Sequence, residues 1–286
     1  MMTTLVNGQF QDSLAVSDRG LQYGDGIWET ILISSSGYPI LLEEHLKRLQ
    51  WGCKVIDLQG LDENLLRQEI AQVIQNTSHL ILKIIITRGS GGRGYSSLGL
   101  SSPTRLLSLH DIPKNIQYHR DNGICIQHCD TRLSRNAKLS GFKHLNRLEQ
   151  VLVRNELSDK HQEGIVCDTQ GNVIEGTMSN LFLIVDNNTV ITPLLDKSGI
   201  KGIMRAYIIS LLDKKNIDLI ERSVAISDVN SAQALFFSNS VIGLWPVRKL
   251  ESKSFPLEEK SFSADVISYL QDHINKLETH SSPTSD

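Results

Sequence analysis

Hydrophobic and polar positions along the chain fall into two successive blocks of strands and helices. Residues 5–10 alternate weakly around Asn7-Gly8, a turn signal that predicts a hairpin. The glycine-punctuated stretch SDRGLQYGDG then leads into a strand over 27–34, and Ser36-Gly37 marks the next turn. From Glu43 the run EEHLKRLQWGCKVI sets Leu46, Leu49 and Val55 on one helical face. A second helix is predicted over 62–76, its stripe made by Leu65, Leu66, Ile70, Val73 and Ile74. Residues 79–87 form a dense β-branched strand, RGSGGRGYSS a glycine-rich loop, and 105–110 a further strand.

The texture changes at 113–122, which is polar, lacks a period and reads as a linker. Strands are predicted beyond it at 124–129, 164–168, 172–175, 180–185, 189–192, 224–227 and 234–238. Helices are predicted at 145–156, across KGIMRAYIISLLDKKN, between the last two strands, and at 263–277. Strands outnumber what a strict βα repeat would supply, which favours an α+β fold in two halves. The expected division is an N-terminal α/β domain at 1–113, a linker at 114–122, a C-terminal domain at 123–278 and a disordered tail at 279–286.

Composition narrows the class. The chain has 286 residues, enough for one large domain or two ordinary ones. Lys plus Arg number 29 against 32 Asp plus Glu, a net charge of -3 that gives no global pull toward nucleic acid or an anionic membrane. Cys53, Cys125, Cys129 and Cys167 lack zinc-ligand spacing, so free thiols in a reducing cytoplasm are expected and no metal is. The N-terminal residues carry no basic and apolar signal pattern, and Lys83 interrupts the densest apolar run, LILKIIIT, so no membrane span is expected.

Several stretches could carry chemistry. Lys143 sits in SGFKHLNRLEQ, with Arg135 and Lys138 shortly before it. Burial and neighbouring cations convert a lysine into a nucleophile; a surface lysine near a helix start is the plain alternative. Glu175 ends a strand beside Gly176, Thr177, Ser179 and Asn180, a place for a carboxylate at a ligand's edge or for an ordinary turn glutamate. Gly199 and Gly202 precede a helix whose first N–H groups suit a phosphate. The pattern is neither a Walker loop nor a dinucleotide fingerprint. Ser238, Asn239 and Ser240 follow a buried-looking strand and offer donors to an anion, or simply make a turn. Arg48, Arg88, Arg93 and Arg105 are candidates for carboxylate or phosphate recognition.

In this order, SDRGLQYGDGIWET, HLKRL, RGSGGRGYSS, KHLNRLEQ, EGTMSNLF, GIMR and SNSVIGLWPV resemble the fold-type IV family of pyridoxal phosphate (PLP) enzymes. The likeness runs from Asn7 to about Val247. The family includes branched-chain and D-amino acid aminotransferases and 4-amino-4-deoxychorismate lyases. RGSGGRGYS with KHLNRLEQVLVR is most similar to the bacterial lyases, which implies conversion of 4-amino-4-deoxychorismate to pyruvate and the folate precursor 4-aminobenzoate. Amino transfer on the same scaffold, and a non-catalytic PLP-binding homologue, are the alternatives. Asn239 and Ser240 stand where branched-chain aminotransferases have Gly-Thr, which counts against the first alternative.

The resemblance also implies roles. Lys143 becomes the lysine that links covalently to PLP, and Glu175 the acid at the pyridine nitrogen. Arg48, the backbone of Ile203 and Met204 after Gly202, and Ser240 become phosphate ligands, with Asn180 and Asn239 completing the cofactor set. Arg93 and Arg105 are assigned to the carboxylates of a small-molecule substrate, and Tyr23, Trp28, Thr30 and Tyr95 to its pocket. A homodimer, with a site between two domains and near the partner subunit, is implied as well.

Overall fold

The computed structural model describes residues 4–256 and 261–279; the tail expected to be disordered lies, from residue 280 on, outside them. The chain divides into two compact units. The first gathers residues up to Ile112, the segment Phe142–Asn146 and the C-terminal residues from Leu277. The second holds Pro113–Gly141 and Arg147–Lys276. Strands and helices are mixed in both, the α+β class expected.

Unit 1 is built on an antiparallel sheet of β1 (Thr4–Val6), β2 (Gln9–Phe10), β3 (Gly26–Leu32), β4 (Ile81–Thr87) and β5 (Thr104–His110), in the order β2-β1-β5-β4-β3. Asn7 and Gly8 both have positive φ, as the two-residue β1–β2 turn demands. A short helix, α1 (Arg19–Tyr23), stands inside the glycine-punctuated stretch SDRGLQYGDG, capped by the Asp18 carboxylate, which accepts from Gly20 N. Two longer helices, α2 (Leu42–Val55) and α3 (Glu63–Ile74), cover one face: α2 packs on β3 and α3 on β5. Period-two burial along β3 and β4 follows. Ile27, Ile31, Ile84 and Ile86 are buried with Leu46, Leu49, Leu66 and Ile70 of the helices. Each such side chain contributes roughly 1.5–3 kcal/mol. The opposite face carries Trp28, Thr30, Lys83 and Ile85, all half-buried.

Beyond Ile112 the expected linker is corrected. Residues 116–122 form α4 (Ile116–Asn122), part of unit 2. Ile116 and Arg120 are buried, Arg120 Nε donates to Ile242 O at 2.8 Å, and Trp245 Nε1 donates to Ile116 O at 3.3 Å. The strands of this unit are β6 (Ile124–His128), β7 (Glu163–Cys167), β8 (Val173–Glu175), β9 (Asn180–Ile184), β10 (Thr189–Pro193), β11 (Asp218–Arg222), β12 (Ala234–Asn239), β13 (Gly243–Leu250) and β14 (Lys253–Ser254). They run β11-β10-β9-β12-β13-β6-β7-β8, with β14 on β13. Among the helices α5 (Leu148–Asn155), α6 (Ile203–Lys214), α7 (Ile226–Ser231) and α8 (Phe262–Thr279), α6 and α8 bury Ile208, Leu211, Val266 and Leu270 with Phe182 and Phe236 of the sheet.

The segment Phe142–Asn146, expected in the C-terminal domain and partly as helix, belongs to unit 1 and is not helical. Its backbone is committed to the open edge of β3: Trp28 N donates to Lys143 O and Leu145 N to Gly26 O, each at 2.9 Å. A helix there would leave that edge bare. The four cysteines are free, and burial pushes Cys53 and Cys129 up to about 12, so both stay thiols at neutral pH. Among the described residues, no helix is long and apolar enough to cross a membrane.

Candidate active site

In unit 1 the edge pairing delivers Lys143 to the half-buried sheet face. Its Nζ lies 3.7 Å from the centroid of the Trp28 ring, and Lys83 Nζ lies 5.0 Å from the same centroid. Trp28 Nε1 donates to His144 O at 3.2 Å, so the indole also fixes the segment that carries the lysine. Thr30 pairs in register with Lys83, which puts both on that face. Lys83 was absent from the sequence reading of the site. Its signal was there: a lone charge at a period-two position of an otherwise apolar strand.

The opposite face of β3 holds Glu29. Its carboxylate accepts from Arg48 Nε at 2.7 Å and Arg48 Nη2 at 2.5 Å, and meets His45 Nδ1 at 2.6 Å. Burial opposes ionisation of Glu29, but the charges and hydrogen bonds of Arg48 and His45 overcome it and hold the carboxyl at about 2. Burial dominates for His45 and moves it below the ordinary histidine value. His45 Nδ1 is held against the carboxylate, and Arg48 supplies a full positive charge beside it. Arg48 is thus fixed in unit 1 by a bidentate bond.

The glycine-rich loop is tied to α1. Arg19 donates to Gly94 O at 2.9 Å, Tyr95 O at 3.1 Å and Asp25 at 2.9 Å, and its guanidinium carbon lies 4.8 Å from the Tyr23 ring centroid. Tyr23 and Tyr95 meet edge to face at 5.5 Å. Arg93, in the same loop, is exposed. Arg105 is a correction. It pairs in register with Ile86, which pairs with Ile27, so it points to the helix-covered face, away from Trp28, Thr30 and Lys83. There it forms a bidentate bond to Glu69 of α3, at 2.8 and 2.9 Å. A substrate carboxylate is not within its geometry.

In unit 2, Glu175 and Asn180 are bonded to the residues that lead into α6. Glu175 ends β8, is buried, and its Oε2 accepts from Ile200 N at 2.9 Å. Asn180 opens β9; it donates to Ile200 O at 2.8 Å and accepts from Gly202 N at 3.2 Å. Gly202 caps α6, and a Cβ on it would stand 2.1 Å from Asn180 Oδ1. The first recorded helical bond of α6 is Ala206 N to Gly202 O, so the N–H groups of Ile203 and Met204 have no acceptor within the helix. Asn239 shapes the turn after β12. Its Oδ1 accepts from Val241 N at 2.8 Å and Ile242 N at 2.9 Å, and Ser240 sits half-buried within that turn.

One further carboxylate escaped the sequence reading. Glu163 is fully buried on β7 and takes donors from Gly164 N at 3.0 Å, Thr177 N at 2.7 Å, Thr177 Oγ1 at 2.5 Å and Ser179 Oγ at 2.6 Å. It fixes the turn that joins Glu175 to Asn180.

The model of the family described as amino-transferase class IV matches residues 26–250. The chain belongs to that family. Among curated relatives, it is 32% identical over 244 residues to the aminodeoxychorismate lyase of Vibrio harveyi, covering 85% of this chain and 89% of that one. Among solved structures, it is similar to 4-amino-4-deoxychorismate lyase from Pseudomonas aeruginosa at 39% identity and a TM-score of 0.89, covering 96% of this chain and 99% of the other. A hypothetical aminotransferase from Mycobacterium tuberculosis in PLP-bound form has the same fold, with a TM-score of 0.81 at 21% identity over 95% of this chain and 98% of the other.

The class IV amino-transferase family is PLP-dependent. The residues present fit that cofactor on their own terms. Unit 2 offers a helix start kept bare by Gly202, a buried carboxylate in Glu175, and a fully buried Ser238 whose Oγ has no hydrogen-bond partner among the described residues. Unit 1 offers a lysine held over an aromatic ring.

Proposed function

We propose that the protein is a PLP-dependent lyase that converts 4-amino-4-deoxychorismate to 4-aminobenzoate and pyruvate. The observation that carries this reading is the likeness to the Pseudomonas aeruginosa lyase, at 39% identity over 96% of the chain. When bound, PLP supplies an electron sink for negative charge at the carbon that bears the substrate's amine.

The chain's residues divide the remaining work. Lys143 would hold the cofactor through Nζ, and its free amine would take the proton from the amine-bearing carbon of the substrate. Trp28 keeps that nitrogen in place. Glu175 would hold a proton on the pyridine nitrogen. Ile203 N, Met204 N, Ser240 and Arg48 would bind the phosphate, with Asn180 and Asn239 shaping their surroundings. Loss of the enolpyruvyl ether side chain aromatises the ring, so the protein needs chiefly to orient the substrate and shuttle one proton. Lys83 and Arg93 are our assignments for the two substrate carboxylates, and Tyr23, Trp28, Thr30 and Tyr95 for the pocket wall.

We place the protein in the cytoplasm, a compartment suited to its four free thiols. We also assign it a homodimer. Leu148, Val151 and Leu152 form an apolar stripe on α5 and are 72%, 51% and 52% exposed, the face a second copy would cover.

Acceptor dependence tests the lyase assignment. PLP-loaded protein given 4-amino-4-deoxychorismate alone should turn over repeatedly with no oxo acid present. A strict need for 2-oxoglutarate or another amino acceptor would make it an aminotransferase instead.

A further inference from the structure

Along β12, Ala234, Phe236 and Ser238 share one face of the sheet. Phe236 stacks on Phe182 of β9 at 4.8 Å, and both belong to the core that includes Met204 and Ile208 of α6. This is therefore the face that α6 covers. Ser238 is the next residue of that row, paired in register with Asn180. Asn180 is the side chain that bonds Gly202 N at the start of α6. Ser238 thus opens beneath the first turn of the helix.

Ser238 is 0% exposed, and its Oγ has no hydrogen-bond partner among the described residues. A buried hydroxyl in that state is costly to the fold, so one left there needs an acceptor. The first N–H groups of α6 pose the same demand from the other side. A group with several anionic oxygens answers both. The resemblance assigns the phosphate hydroxyl to Ser240, in the turn after β12; Ser238 lies two residues earlier, inside the strand and fully buried.

We propose that Ser238 Oγ donates a hydrogen bond to the cofactor's phosphate at the start of α6, as a second hydroxyl ligand beside Ser240. The proposal rests on the PLP reading above. It assigns Ser238 to the phosphate end alone, with no part in the chemistry at Lys143.

The test compares cofactor with and without phosphate. Purified protein, stripped of cofactor, is titrated with PLP and separately with pyridoxal. Ser238→Ala should raise the PLP dissociation constant roughly tenfold or more, the usual worth of a hydrogen bond to a charged group, and leave that of pyridoxal unchanged. Ser238→Thr, which keeps the hydroxyl, should restore most of the PLP affinity. Unchanged PLP affinity in Ser238→Ala overturns the proposal, as does an equal loss for both compounds. Wild-type protein that binds neither overturns the PLP reading itself, and this proposal with it. Should the alanine variant fail to fold, Ser238→Cys carries the same comparison with a much weaker donor.

Discussion

Lys143 Nζ lies 3.7 Å from the centroid of the Trp28 ring, while the backbones of the same two residues are joined by a 2.9 Å hydrogen bond. One residue of β3 thus fixes both the segment that carries the lysine and the side chain itself. A cation over an indole gains about 0.5–2 kcal/mol. Trp28→Leu keeps the backbone bond and removes the ring. Its kcat should fall by roughly twofold to thirtyfold, with PLP still bound. Steady-state kinetics on the PLP-loaded variant would check this, and an unchanged kcat would remove Trp28 from the account.

Glu29 predicts an acid limb to stability. Its carboxyl is held at about 2 against an ordinary 4.5, so its ionised form stabilises the fold above pH 4.5. That contribution is lost as the pH falls from 4.5 through about 2, by roughly 3 kcal/mol in all. Glu29→Gln should cost about 3–5 kcal/mol at neutral pH, because Arg48 loses its buried carboxylate. The variant should also flatten this part of the profile. Urea unfolding from pH 2 to 7 measures both effects.

Much of this was legible because it is local. The period-two run of β4 and the stripes of α2 and α3 follow from residue order alone. The sequence pattern fails where a distant partner decides. Residues 145–147 have helical spacing yet lie outside the helix, which opens at Leu148, because Leu145 N is committed to Gly26 O at the edge of β3. The polar stretch containing α4 looks like a linker until Ile116 and Arg120 find β13 and its preceding turn. Pro246 hides β13, whose pairing with β12 runs through it. The same limit applies to the site. Lys143 and Glu175 stand out by motif and Lys83 by its lone charge in an apolar strand, whereas Glu163 and the helix-facing side of Arg105 appear only once strands are in register.

Gly202 carries a steric prediction. Its backbone, at φ -65° and ψ 146°, suits any residue, so Gly202→Ala meets no backbone strain. The added Cβ would stand 2.1 Å from Asn180 Oδ1 and force that side chain off Gly202 N. The lost cap should cost about 1 kcal/mol of stability and raise the PLP dissociation constant by roughly tenfold. Thermal unfolding of cofactor-free protein and PLP titration separate the two effects.

The exposed stripe of α5 predicts the assembly. Leu152→Glu places a charge at its centre and, since Leu152 is 52% exposed, should leave the subunit folded. Light scattering should give twice the subunit mass for wild type and the single mass for the variant. A dimer that survives the change would move the interface elsewhere.

The most direct test of the lyase reading is product stoichiometry. PLP-loaded protein should release 4-aminobenzoate and pyruvate from 4-amino-4-deoxychorismate in a one-to-one ratio over many turnovers. Lys143→Ala should release neither, a loss of roughly a thousandfold or more. Wild-type protein that binds PLP yet forms neither product, or a Lys143→Ala variant with full activity, would contradict the account.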